Sequence, residues 1–152
     1  MVLRVKDYCV IGVLFSVDQI SKWIASQYLT FLYPVSIIPS KVSFILVHNY
    51  GAAYGILQHQ RFLLLAVSMG VILGCLFFSK TIIQSKWSKW GLIFLLSGAL
   101  GNMTDRLIFG YVIDFVDIRI FPVFNVADVL IDCAVGCFLW EMFVDRKKVS
   151  RK

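Results

Sequence analysis

The sequence predicts an all-α membrane protein: a four-transmembrane-helix bundle carrying a small outward-facing β/loop segment and a short interfacial helix. Three observations point there. The 152 residues are 59% hydrophobic and only 16% charged, with a mean hydropathy of +0.81, outside the range of soluble domains. The apolar residues fall in four runs, three of them long enough to cross about 30 Å of hydrocarbon as a helix and the second close to that length. Finally, ten of the fifteen basic residues sit at the two termini or in the connection between the second and third runs.

The first run covers about 8–29 and is broken only by the polar stretch DQISK (Asp18 to Lys22). It has the positive start of a signal peptide but no small-x-small cleavage site, so it is expected to be a retained span. The second run, about 62–79, has no charge, and Gly70 and Gly74 offer a small-xxx-small packing face. The third, about 90–113, has Ser97 and Gly101 at the same spacing and then takes in Asp105 and Arg106. The fourth covers about 126–144 and is followed by a basic tail, about 145–152. All of it reads as one integral membrane domain, 1–152.

Charge placement sets the orientation. Arg4, Lys6, Lys80, Lys86, Lys89 and the basic tail place both termini and the second connection in the cytoplasm. The segment of about 30–61 and the turn of about 114–125 then face outward. In that segment VSIIPSKVSFILVHN suggests short strands, and GAAYGILQHQ a short interfacial helix. The pI near 9.3 therefore reports topology and affinity for membrane lipid, not a nucleic-acid surface. Cys9, Cys75, Cys133 and Cys137 lie within apolar runs without metal-site spacing, so neither disulfides nor metal nor another cofactor are expected.

Five of the nine acidic residues lie between Gly98 and Asp132, where ionisable groups are costly in hydrocarbon and therefore functional or paired. Asp18 and Lys22 are one helical turn apart and can pair. Asn102, Asp105 and Arg106 share a face; Asp105 with Arg106 is either a structural ion pair or part of a site. Asn125 suits a cap for the fourth helix. Asp114 and Asp128 have no basic residue within a turn. Two carboxyls in a poorly hydrated site share a proton, so that one acts as base and the other as acid. Spacing alone does not select this pair, since Asp117 or Asp132 could substitute. Two other readings of the residues are a proton-coupled exporter working through Asp18 and a scaffold whose acids only pair helices.

Four blocks in order, DQISK at Asp18, NYGAAYG from Asn49, GNMTDRLIFGYVIDF from Gly101 and FNVAD ending at Asp128, resemble the bacterial lipoprotein signal peptidase (signal peptidase II) family across nearly the whole chain. The resemblance implies an aspartyl endopeptidase of the bacterial cytoplasmic (inner) membrane with its site near the outer face and Asp114 and Asp128 as catalytic acids. It implies cleavage of prolipoproteins on the N-terminal side of a diacylglyceryl-modified cysteine, inhibition by globomycin, no metal, and action as a monomer. Asn49, Gly51, Asn102, Arg106 and Asn125 would line or brace the site, supported by Asp18, Gln19, Lys22 and Asp105. Departures are Tyr54 and Gly55 where the family often has Phe and Ser, a short turn after Phe115, and the additional acid Asp132.

Overall fold

A computed structural model describes residues 2–52 and 56–149, with side chains to 144. Five helices and three strands follow in the order α1 Val5–Tyr28, β1 Val35–Ile38, β2 Val42–Asn49, α2 Arg61–Phe77, α3 Ser79–Ile82, α4 Lys86–Ile108, β3 Val112–Asp117 and α5 Val126–Val149. The protein is thus mostly helical with a small sheet. By length and composition α1 alone among the described helices is long and apolar enough to cross a membrane; α2 is apolar but shorter.

Helix α4 is the central element, packing against α5, α1 and α2. Its start is fixed by a capping box in which Ser85 Oγ accepts from the backbone N–H groups of Trp87 and Ser88 while Ser88 Oγ accepts from that of Ser85. Lys89 pairs with Asp7 of α1 at 2.7 Å, and Ser88 Oγ donates to Glu141 of α5 at 3.1 Å. Small residues set the closest approaches. A Cβ at Gly98 would lie 2.5 Å from the Ala127 carbonyl oxygen, and one at Gly101 would fall on the Asp18 carboxylate. Gly70 and Gly74, expected to form a packing face, instead have nothing within 4 Å of where a Cβ would stand, because α2 turns a different face, with Leu64, Ile72 and Cys75 buried, toward the rest of the molecule.

Two further expectations are corrected. Helix α4 ends at Ile108, not near 113: Gly110 takes φ +86°, and the Arg61 side chain donates to the carbonyls of Arg106 and Leu107 at 2.8 Å each, satisfying the last turn. The chain then enters β3, so Asp114 sits on a strand. The short helix expected over 51–60 is absent from its described part, which forms turns; Tyr54 and Gly55 lie outside the described residues, as do the side chains of the basic tail. Positive φ at Leu57 (57°) and His59 (62°) is incompatible with a helix, and the Ala52 N–H donates forward to the Ile56 carbonyl, the reverse of a helical bond.

The sheet is antiparallel in the order β1-β2-β3. The β1–β2 hairpin matches the strands read from the sequence, whereas β3 was not foreseen as a strand. Register sets Asn49 opposite Val112 and Val47 opposite Asp114, which carries Asn49 to the edge of the acidic residues.

Polarity is inverted relative to a water-soluble protein. Phe62 and Phe77 are 84% and 82% exposed, while Asp18, Lys22, Asp105, Asp114 and Asn125 are buried. Replacing Gly98 by Ala should lower stability by about 1–3 kcal/mol through overpacking against α5. The same change at Gly70, which faces open space, should be neutral or mildly stabilising. Thermal unfolding of the two purified variants in detergent checks this.

Candidate active site

The site is assembled from α1 outward. Lys22, 1% exposed, places its ammonium 2.8 Å from Asp18 Oδ2, 3.0 Å from Asp105 Oδ2 and 3.0 Å from Asn102 Oδ1. Gln19 Nε2 donates to Asp18 Oδ2 (3.1 Å) and Asp105 Oδ1 (3.0 Å) and, more weakly, to the Gly101 carbonyl. An ammonium removed from water is tolerable only with such complete pairing. Asp18 Oδ1 also accepts from the Ala127 N–H at 2.8 Å, and Asp105 Oδ2 from the Ile113 N–H at 3.1 Å. This cluster therefore fixes the start of α5 and the first residues of β3. Asp105 pairs with Lys22, not with its neighbour Arg106, because the two side chains leave α4 about 100° apart. Arg106 instead donates from Nη2 to the Gly51 carbonyl at 2.9 Å.

Asn102 and Asn125 relay this order to the acids. Since Asn102 Oδ1 accepts from Lys22, its Nδ2 is free to donate to Asp128 Oδ1, at 2.9 Å. Asn125 caps α5 reciprocally with Asp128: its N–H donates to Asp128 Oδ2 (3.1 Å), and its Oδ1 accepts from the Asp128 N–H (3.0 Å). The Asn125 Nδ2 is then turned to Asp114 Oδ1, at 2.7 Å, with longer contacts to Asn102 Oδ1 and the Ile113 carbonyl. Asn49 Nδ2 donates to the other oxygen, Asp114 Oδ2, at 2.9 Å, while its Oδ1 accepts from the Gly51 N–H at 3.0 Å. One residue, Asn125, thus bonds both carboxylates and is also the helix cap.

Asp114 and Asp128 line the same cavity of about 760 Å³, together with Asn49, Asn102 and Arg106. Its remaining wall is largely apolar and includes Phe121, Pro122 and Val129. Burial, and next the nearby charge of Asp128, push the Asp114 carboxyl up to about 7. Asp117 does not line this cavity; it accepts from Ser43 and the Arg119 N–H at the far end of β3. Asp18 is neutralised by Lys22 and likewise stands outside it, which removes the free acid an exporter would need. Asp132 does line it, one turn along α5 from Asp128. No group of three or more metal-ligating side chains occurs among the described residues.

The reading of the residues missed Arg61, which clamps the last turn of α4, the turn that carries Arg106. A signal existed: a basic residue at the outward start of an apolar run runs against the positive-inside pattern and calls for a specific partner. His48 also finds its place, stacked on Tyr111 with centroids 4.0 Å apart, and burial lowers its pKa.

The raised Asp114 pKa carries a stability consequence. Ionisation near pH 3.8 when unfolded but about 7 when folded means that folding stability falls as pH rises between those values and is level above them. Asp114→Asn should abolish this dependence and be more stable than the wild type at pH 8, by a margin that shrinks toward pH 4, as read by thermal unfolding at each pH.

The family described as signal peptidase (SPase) II matches residues 10–144. The chain is 34% identical over 145 residues to the lipoprotein signal peptidase of Brevibacillus brevis, covering 93% of this chain and 97% of that protein. It is 37% identical over 149 residues to that of Microcystis aeruginosa, with 92% of each covered. Two solved structures, each described as a bacterial membrane enzyme, share the fold with TM-scores of 0.88 and 0.81 at 24% identity. They cover 97% and 93% of this chain and 93% and 94% of theirs. A match over this length, on a chain whose acids converge as described, makes this protein a member of the signal peptidase II family of aspartic peptidases.

Proposed function

We propose that the protein is a membrane-embedded aspartic endopeptidase that removes the signal peptide from prolipoproteins, with Asp114 and Asp128 as its two catalytic carboxyls. The observation that carries the reading is the pair itself: two acids on different elements, held by the shared residue Asn125 and open to one cavity. Burial beside a second acid keeps a proton on the pair toward neutral pH, and Asp114, whose carboxyl is pushed up to about 7, is assigned as the acid of the first step. Asp128, accepting from Asn102 and the Asn125 N–H, is the carboxylate. Asp128 takes a proton from a water that attacks the scissile carbonyl while Asp114 donates its proton to the carbonyl oxygen. Collapse of the tetrahedral diol returns the oxygen's proton to Asp114, and the proton held by Asp128 goes to the departing amine as the C–N bond breaks.

The substrate class is a prolipoprotein cut on the N-terminal side of a diacylglyceryl-modified cysteine, and globomycin is the expected inhibitor. Exposed apolar side chains over α1 and α2, with charges gathered inside, support lipid as the solvent. We assign α1, α2, α4 and α5 as four spans of one integral domain in the bacterial inner membrane. The exposed Lys6, Lys80 and Lys86 then mark the cytoplasmic ends, both termini are cytoplasmic, and the cavity opens near the outer face. The enzyme acts as a monomer, since one chain supplies both acids and their supports.

Asp114→Asn and Asp128→Asn should each reduce cleavage of a diacylglyceryl-modified precursor on the order of 10²–10⁴-fold, with helix content retained. Undiminished cleavage by either variant would remove that residue from the mechanism. Activity should fall as pH rises past about 7, when Asp114 loses the shared proton. Because the Asn49 amide stabilises ionised Asp114, Asn49→Ala should move that alkaline limb to higher pH in a pH–rate profile.

A further inference from the structure

We propose that Asp132 is a specificity-determining residue that selects precursors bearing a hydroxyl side chain about two residues before the cleaved bond. The inference rests on the peptidase reading and extends it to the signal-peptide side of the substrate. Asp132 is exposed to the cavity and stands among Val129, Ile131, Cys133 and Phe121. The other polar groups lining the cavity, Asn49, Asn102, Arg106, Asp114 and Asp128, each have a partner within the protein. Asp132 has none among the described residues, so its carboxylate is free to accept from a donor that an occupant of the cavity brings.

Geometry fixes where that donor lies. Asp132 follows Asp128 by one turn on the same face of α5, about 6 Å along the axis. With α5 entering the bilayer from the outer face, Asp132 is the deeper of the two. The signal segment rises from the bilayer toward the scissile bond, and an extended chain advances about 3.3 Å per residue. Asp132 therefore meets the side chain about two residues before the bond. Chemistry narrows the class. A diacylglyceryl group offers ester and thioether atoms, all acceptors, so a carboxylate here addresses the peptide and not the lipid. A lysine or arginine would supply a donor but is costly at this depth, whereas a serine or threonine hydroxyl is tolerated in a span.

The test is a competition in detergent micelles between two diacylglyceryl-modified precursors that differ only by Ser or Ala at the second residue before the bond. Wild-type enzyme should favour Ser in kcat/KM by about tenfold or more, the worth of a hydrogen bond to a charged group. Asp132→Leu, an exposed substitution that leaves the fold's buried network untouched, should reduce the ratio to near one. The loss should appear in KM for the Ser precursor. Equal loss on both precursors would mean that the carboxyl meets a feature they share, backbone or lipid, and would overturn the proposal, as would a Ser preference that survives in Asp132→Leu. Wild-type failure to cleave either precursor would instead sink the peptidase reading and this inference with it.

Discussion

One ammonium group organises the interior. Lys22 is enclosed by Asp18, Asp105 and Asn102, and each partner spends its remaining bonding capacity on a different element: Asp18 on the first turn of α5, Asp105 on the start of β3, Asn102 on Asp128. Inside a low-dielectric bundle a lone charge is untenable, but a charge with every valence occupied becomes a rigid node. Loss of any one partner would leave the others buried and unmatched, so the node has one workable arrangement. It is this arrangement that turns the Asn102 amide nitrogen toward Asp128.

The acids themselves are held differently. Asp114 sits on β3 and Asp128 in the first turn of α5, and what connects them is a helix cap. Asn125 closes the backbone at the start of α5 while its amide nitrogen faces Asp114. Capping and site assembly, which look like competing explanations of an asparagine in a sequence, are here two ends of the same side chain. The consequence is electrostatic strain: Asp114 is held buried near a second acid, an arrangement that weakens folding above the ordinary carboxylate range and keeps a proton available near neutrality.

Apolar residues on the outside and charges on the inside make the stabilising terms of this protein unlike those of a soluble enzyme. Close approach at Gly98 and Gly101 and the polar node add to an apolar core in which Ile11, Ile72, Leu92 and Leu96 are buried. The cavity is lined from the end of β2, from β3 and the segment after it, and from the facing sides of α4 and α5, so its polar groups gather where the sheet meets the two helices.

The order of residues by itself determined the four long helices, though not where α4 stops, the hairpin of β1 and β2, and most of the polar residues that converge, because hydropathy periods and the cost of charge in hydrocarbon are local properties. The four motif blocks carried the family. What tertiary structure alone decided was partnership. Asp105 chose Lys22 over its sequence neighbour Arg106, Arg61 came across from α2 to stop α4 early, β3 formed because β2 offered an edge, and Asp132, not Asp117, joined Asp114 and Asp128 at the cavity. Such pairings depend on distances between segments far apart in the chain, and directional bonds with a reach of about 3 Å are settled only when the packing of helices has fixed those distances.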